Sequence, residues 1–353
     1  MRNVSVVIPN WNGRELLAEF LPSVFAALSE YGDQHGAEVE LLIVDDASTD
    51  GSPSWLASTY GPHPLLRVIE LPQNGGFLRA VNKGFAEARY PIVFLLNNDV
   101  RVAPDAIAPL VSHFDDEQVF AVCSKAYRLG TDLLDGAGKL GLFERGFWRV
   151  FLNYDILPTR LPNAPPPFHS FFGSGGYTAY DAAKLAVLRG FCELLAPIYW
   201  EDVEICYRAW KRGWTVEYEP ASVVYHLSSA TMGNARQRRI RLITERNRLL
   251  MTWINLHDRT WLLAHLAWLG LKLLGAAVSL DGVYWQSFWQ AVRRLRLVRQ
   301  ARRQEMAAAV RSDREVAALF TSLAEREWVS VLRNVKDYAQ YLELRRELET
   351  NST

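Results

Sequence analysis

Net charge is the first thing this 353-residue chain lacks: 39 Lys and Arg balance 39 Asp and Glu. A protein that gripped a nucleic-acid duplex with its whole surface would be strongly basic, so the balance argues against that class. Cysteine is scarce too. Cys123, Cys192 and Cys206 are odd in number, show no CxxC spacing and sit among apolar residues. That excludes a disulfide scaffold or a paired-cysteine zinc site, and predicts three buried thiols in a reducing compartment. The N-terminus has an apolar run of only five residues before Pro9 and Asn10. A secretory signal needs a longer core, so the expectation is a cytoplasmic chain. The Walker phosphate loop and the HExxH and GxSxG patterns are missing, which removes the usual support for phosphate-loop, zincin and hydrolase readings. One GxGxxG match, residues 136–141, follows no convincing strand and opens no helix, so it carries no dinucleotide site.

What is present is a folded-protein composition, 49% apolar and 22% charged, with an uneven charge distribution. Residues 1–235 carry 18 basic and 27 acidic side chains, a net of −9, and residues 236–353 carry 21 and 12, a net of +9. The zero is therefore a sum of opposites, and a domain boundary is expected near residue 235.

The first 125 residues alternate short β-branched runs with amphipathic stretches. Val4–Ile8, Glu40–Val44, Leu66–Leu71, Ile92–Leu96 and Val119–Cys123 read as strands. Arg14–Ser29, Ser52–Tyr60, Phe77–Arg89 and Asp105–Phe114 read as helices. Continuous apolar runs such as VSVVI and IVFLL suit strands covered on both faces, and the alternation predicts an α/β, mostly parallel, Rossmann-like sheet with flanking helices. Residues 126–172 are Gly- and aromatic-rich, then Pro-rich, which predicts hairpins and a mobile loop. GSGGYTAYDAAKLAVLRGF reads as a strand leading into a helix, WEDVEICYRAWKRGW as a helix, and TVEYE and SVVYH as strands. After Arg236 only helical patterns are legible.

Ligands of such sheets bind beyond the carboxyl ends of the strands, which directs attention to four segments. IPNWNG places Pro9 and Trp11 where an aromatic face can pack on a nucleobase. LLIVDDASTDGS ends a strand in Asp45 and Asp46, with serines placed to cap the next helix. PQNGGFLRAVNKG offers glycines whose amides can approach a phosphate at a helix start. FLLNNDV delivers Asn97, Asn98 and Asp99 to the sheet edge, where a hard cation would find an oxygen ligand. Further on, Glu201 and Asp202 open a helix and His226 closes an apolar strand. Each feature alone also fits turn, cap or packing chemistry.

In order, PNWNG (9–13), VDDASTDGS (44–52), NGGFLRAVNKG (74–84), LLNNDV (95–100), WEDVEICYRAWKRGW (200–214) and EPASVVYH (219–226) resemble the family 2 glycosyltransferases, inverting enzymes with the GT-A fold. The variant is similar to the rhamnosyltransferase-like and galactofuranosyltransferase-like branch. The resemblance implies that Asp46 hydrogen-bonds a nucleobase flanked by Pro9 and Trp11, with Asn74 and Asn82 near the nucleotide. It implies that Asp99, last of the Asn97-Asn98-Asp99 run, binds Mn²⁺ or Mg²⁺ together with His226. It also implies that Asp202 is the general base, with Glu201 as the competing carboxylate. Adjacent helical residues point about 100° apart, so only one of the two is expected to face the sugar. The implied donor is a dTDP- or UDP-sugar, and the implied acceptor a glycan or lipid-linked molecule in cell-surface polysaccharide synthesis. A catalytically impaired scaffold and a sugar nucleotidyltransferase are the alternatives.

From Arg236 to Arg314 there are 16 basic and 5 acidic residues, with tryptophans at 253, 261, 268, 285 and 289. Residues 261–280 are the most apolar window. They are long enough to span a bilayer, but Lys272 and His265 argue against spanning. An in-plane helix fits better, with tryptophans at the headgroups and RRLRLVRQARR (293–303) against anionic lipid on the inner face of the membrane. Packing on the catalytic domain, or forming a homo-oligomer, is the other use of such helices. A final helix is expected at about 313–348.

Overall fold

The computed structural model describes residues 2–156, 166–227, 234–333, 337 and 340–343. Its first half is built as the periodicity demands. β1 (Val4–Asn10), β2 (Val39–Asp45), β3 (Leu66–Glu70) and β4 (Ile92–Leu96) are parallel, and α1 (Arg14–His35), α2 (Ser52–Tyr60) and α3 (Phe77–Glu87) connect them. All seven residues of β1 are buried, which explains its unbroken apolar run: helices cover both faces. β1 and β2 pair from Val4↔Val39 to Asn10↔Asp45, so their carboxyl ends finish side by side.

The later strands make the sheet mixed. Among the described residues nine strands join it, in the order β3-β2-β1-β4-β10-β6-β11-β5, with β7 paired to β6. These are β5 (Val100–Val102), β6 (Val119–Arg128), β7 (Leu134–Gly136), β10 (Tyr177–Asp181) and β11 (Thr215–His226). β10 runs antiparallel between β4 and β6. Its reversed direction brings the glycine-rich segment before it to the carboxyl end of β4, where the Asn97 N–H donates to Gly176 O at 2.9 Å. TVEYE and SVVYH, read as two strands, form one strand, β11, with an irregular register between Glu219 and Val223.

The hairpin expected within 126–172 is β8 (Gly138–Glu144) with β9 (Phe147–Ile156), closed by Arg145 and Gly146, both at positive φ. Residues 157–165 of the Pro-rich stretch, on which the mobile-loop expectation fell, lie outside the described residues. α4 (Ile107–Ser112), α5 (Ala182–Leu188) and α6 (Glu201–Lys211) complete this part.

After residue 233 come α7 (Asn234–Asn255), α8 (Arg259–Val278), α9 (Gly282–Val292), α10 (Leu295–Ala308) and α11 (Asp313–Ala324). Two expectations need correction here. The helix expected over 313–348 is broken: α11 stops at Ala324, β12 (Val329–Leu332) follows, pairing antiparallel with β9, and helical residues reappear at 337 and 340–343. Valines and leucine at 329–332 complete a second sheet of order β12-β9-β8, so an available edge, which local sequence cannot display, overrode the helical spacing.

The helices also share the sheet's core. Leu249, Leu250, Ile254, Val316 and Phe320 lie in one buried cluster with Val7, Trp148 and Trp210. Three of the tryptophans expected at a membrane surface pack inward. Trp261 stacks on Phe143 at 4.3 Å, the Trp253 indole N–H donates to His265 Nε2 at 2.9 Å, and Trp285 packs against the core. Asp313 ties the layers together: its carboxylate accepts from Tyr207 Oη (2.5 Å), Lys211 Nζ (2.7 Å) and the backbone N–H groups of His257 (2.6 Å) and Asp258 (2.5 Å).

Candidate active site

The sheet order reverses between β1 and β4, and the crevice beyond their carboxyl ends is where a doubly wound sheet binds its ligand. A cleft of about 530 Å³ opens there. Pro9, Trp11, Asp46, Asn74, Asn97, Asn98, Asp99, Glu201 and Asp202 line it, joined by the 174–176 and 197–199 segments and by Arg239 from α7.

The floor is a polar lattice. Buried Asn10 donates to Asp45 Oδ2 at 2.9 Å and accepts from Asn98 Nδ2 at 2.9 Å, linking the ends of β1, β2 and β4. Gly13 sits over this junction, where a Cβ would come within 2.2 Å of Asn98 Nδ2. Trp11 stands at the rim, 58% exposed, with its ring free for a ligand to stack on.

Asp46 is buried beneath, and its two oxygens accept the Gly75 and Gly76 N–H groups at 2.7 and 2.8 Å. This revises the reading of the glycines: the amides expected to meet a phosphate are held by Asp46 instead. Gly76 is held at φ 85° and ψ 164°, a conformation open essentially to glycine alone, and a Cβ there would also lie 3.0 Å from Pro197 Cβ. Asn74 Nδ2 donates to the Asp46 carbonyl at 3.3 Å. Asn82, expected near the nucleotide, is not among the cleft residues. Its amide is spent on Phe191, donating to the carbonyl (2.9 Å) and accepting from the N–H (2.7 Å), which staples α3 to the turn after α5.

Across the cleft, Asp99 Oδ2 lies 3.3 Å from His226 Nε2, and His226 Nδ1 lies 2.8 Å from Asp135 Oδ2. Burial alone would lower the imidazole's pKa, but hydrogen bonds and charge from Asp135 and Asp99 raise it to about 9. Among the described residues no three His, Cys, Asp or Glu side chains form a cation site. Asn97 Oδ1 and Asp99 Oδ1 are nevertheless buried oxygens that lack a hydrogen-bond partner.

Glu201 and Asp202 both line the cleft, contrary to the expectation that only one would. They are the first two residues of α6, and because helical side chains tilt toward the N-terminus, both can reach the space beyond the helix start. Their environments differ. Asp202 accepts from the Gly175 N–H (3.2 Å) and the Val203 N–H (2.8 Å). Glu201 Oε2 is buried without a partner. Burial pushes the Glu201 carboxyl well above the usual range, and the neighbouring Asp202 charge pushes it further. Burial raises Asp202 as well, opposed by those two amides and by the Lys139 charge.

Arg239, Asp135 and the 174–176 and 197–199 segments carried no local signal. Arg239 is one of many arginines in a basic run, and only the fold brings it to the cleft. The described lining thus sets one arginine against four carboxylates, a site suited to a polyanion only with added positive charge.

A sequence model described as glycosyl transferase family 2 matches residues 5–185. The chain is 30% identical over 113 residues to the succinoglycan biosynthesis protein ExoO of Rhizobium meliloti, covering 32% of this chain and 30% of that one. It is 32% identical over 119 residues to undecaprenyl-phosphate 4-deoxy-4-formamido-L-arabinose transferase of Klebsiella pneumoniae, covering 33% of this chain and 35% of that one. The chain thus spans about a third of the length of these curated relatives. In fold it is similar to S. aureus TarS 1-349, with a TM-score of 0.53 at 15% identity, covering 99% of this chain and 92% of that one. The mixed sheet with flanking helices is the GT-A fold, followed by a helical C-terminal region, and the chain belongs to glycosyl transferase family 2.

Proposed function

We propose that the chain transfers a sugar from a nucleotide-sugar donor to a hydroxyl of a glycan or lipid-linked acceptor, with inversion at the anomeric carbon. The observation that carries this reading is one convergence. A donor-binding set (Pro9, Trp11, Asp46, Asn74) and a buried carboxylate pair face the same cleft at the carboxyl ends of the strands. Asp202 is the base. Two backbone amides stabilise its ionised form, whereas Glu201, buried with a bare oxygen, keeps its proton. Asp202 takes the acceptor's hydroxyl proton as that oxygen bonds to the anomeric carbon and the bond to the diphosphate breaks on the opposite face. A base whose pKa is raised toward the working pH contributes ~10²–10⁴-fold.

The donor atoms fit a divalent cation: the two orphaned oxygens on Asn97 and Asp99, and an imidazole nitrogen whose far side is oriented by Asp135. Asp99 and His226 would hold the ion, with Asn97 as a further oxygen, and the imidazole favours Mn²⁺ over Mg²⁺. When bound, such an ion supplies Lewis-acid stabilisation of the departing diphosphate. The IPNWNG and WEDVEIC motifs favour the rhamnosyltransferase-like and galactofuranosyltransferase-like branch, with a dTDP- or UDP-sugar donor.

A lipid-linked acceptor accords with the undecaprenyl-phosphate in the name of the Klebsiella relative and with the outer face of α8. Leu263, Leu266, Leu271, Leu274 and Val278 are all exposed, while the helix's charged Lys272 lies over the Phe147 ring at 4.7 Å. α8 is long and apolar enough to cross a membrane. One face, however, is anchored to the β8–β9 hairpin through Trp261 on Phe143 and through His265 on the Gly146 carbonyl (2.8 Å). In this reading α8 lies in the plane of an anionic leaflet, and the arginine excess of 236–314 selects lipid over a second, equally basic copy.

The test is a panel of UDP-, dTDP- and GDP-sugars with Mn²⁺ or Mg²⁺, read by thermal shift, nucleoside diphosphate release and the anomeric NMR signal of the product. One donor should raise the melting temperature and yield inverted product. A flat response across the panel overturns the reading, and retained configuration removes the direct-displacement role of Asp202.

A further inference from the structure

Two neighbouring residues of α7 spend their side chains on a single loop. Asn247, fully buried, donates from Nδ2 to the carbonyls of Leu195 (2.6 Å), Ile198 (3.0 Å) and Tyr199 (2.8 Å). Arg246, 5% exposed, donates to the Ala196 carbonyl at 2.6 Å, and its Nε bonds Asn247 Oδ1 at 2.9 Å. Four of the five carbonyls from 195 to 199 are gripped in this way. A helix that only needed to pack would present apolar side chains here. A buried guanidinium compensated by carbonyls is costly, and burial pulls its pKa down to about 10.

The gripped loop lies between the two sides of the cleft. Pro197 O accepts from the Leu78 N–H at 3.2 Å, in the first turn of α3, and Pro197, Ile198 and Tyr199 line the cleft. The chain then passes through Tyr199 at φ 76° and Trp200 at φ 73° before Glu201 and Asp202 open α6. Two successive non-glycine residues in the left-handed region persist only where their surroundings over-determine them. The Asn247 amide holds the carbonyls of Ile198 and Tyr199, on either side of the first of these residues.

We propose that Arg246 and Asn247 are positioning residues that clamp the strained 195–200 turn and so fix the aim of the Glu201–Asp202 pair. The clamp rests on the transferase reading for its consequence in turnover, but not for its structural content. It makes the helical region part of the active-site machinery, because the turn that leads into the carboxylates is held from α7 as well as from the sheet side, where the Gly175 N–H donates to Asp202.

The test uses the full chain with Asn247→Leu, which keeps the volume and removes the donor. Arg246→Met and Arg246→Lys are compared beside it. Asn247→Leu is expected to lower kcat 30- to 100-fold with donor KM within threefold. Amide exchange across 196–202 should speed up at least tenfold, while β1 and β2 stay protected. Arg246→Lys, still able to reach Ala196 O, should stay within threefold of wild-type kcat, and Arg246→Met should lose tenfold or more. The clamp is overturned if exchange across 196–202 is unchanged in Asn247→Leu. It is also overturned if exchange rises and donor affinity falls throughout the chain together, since the pair would then serve general stability. If the wild type turns over no nucleotide sugar, the transferase reading fails, and the exchange measurement still decides the clamp.

Discussion

The strand-rich half and the helical third differ in how function is written into them. In residues 1–235 the functional side chains end or follow a strand, or open a helix, so chemistry and local pattern coincide: Asp46 follows β2, Asp99 follows β4 and His226 ends β11. In the helices after residue 233 the composition is loud and the chemistry silent. Sixteen basic residues in 236–314 look alike in sequence, yet Arg239 lines the cleft, Arg246 is buried on a loop, and Arg248 lies over the Phe147 ring at 4.5 Å. Net charge describes such a region poorly, because burial and partner decide what each cation does.

The sharpest way to break this contrast is Asp202→Asn. Turnover should fall by ~10²–10⁴-fold, with nucleoside diphosphate binding by calorimetry unchanged. Comparable turnover would move the chemistry out of this pair. Next in size is Asp313→Ala, which strips four donors and leaves buried Lys211 without its ion pair. We expect a loss of ~3–5 kcal/mol in denaturant unfolding. A loss below about 1 kcal/mol would mean that α11 and the catalytic helix are energetically separate.

Leu271→Asp with Leu274→Asp tests the outer face of α8. Each change removes an exposed leucine from the face we assign to lipid, so co-sedimentation with anionic vesicles should fall at least tenfold while soluble-acceptor turnover stays constant. Equal vesicle binding would return α8 to a packing role.

Two smaller effects concern pH. His113 bridges Glu217 and Glu219, at 2.6 Å to each. Burial would lower its pKa, but those two carboxylates raise it to about 9. Its contribution is therefore complete below about 6.5 and lost as pH rises through about 9, at most roughly 3 kcal/mol. Stability of His113→Gln should be flatter across that window. Glu201 has the opposite sign for a carboxylate: its folded pKa is raised, so the folded state binds the proton more tightly and stability falls as pH rises above the unfolded value. Glu201→Gln should be more stable than wild type at pH 8, with the difference shrinking as pH falls toward the unfolded carboxylate range. Destabilisation there would mean that the ionised carboxylate is supported by its surroundings.

Much of the first half was legible because its signals are local. A buried parallel strand must be apolar throughout, and the residues after it must be polar, so β1, β2 and β4 and their post-strand motifs stand out in one dimension. Asn82 shows the limit: it occupies a motif position, yet Phe191, 109 residues away, takes both ends of its amide. β12 shows another, since four residues become a strand because β9 offers an unpaired edge.

Sequence alone determined the element order of the α/β half, the cleft-facing identity of Trp11, Asp46, Asp99 and Asp202, and the charge asymmetry between the two ends. Only the tertiary structure decided which tryptophans are core, which of Glu201 and Asp202 is stabilised as an anion, and that α7 grips the loop before them. The physical reason is range. Periodicity and capping act over a few residues, whereas burial, desolvation and convergent hydrogen bonding are set by partners such as Gly175 for Asp202, 27 residues away, and Phe191 for Asn82, 109 away, that no local pattern can name.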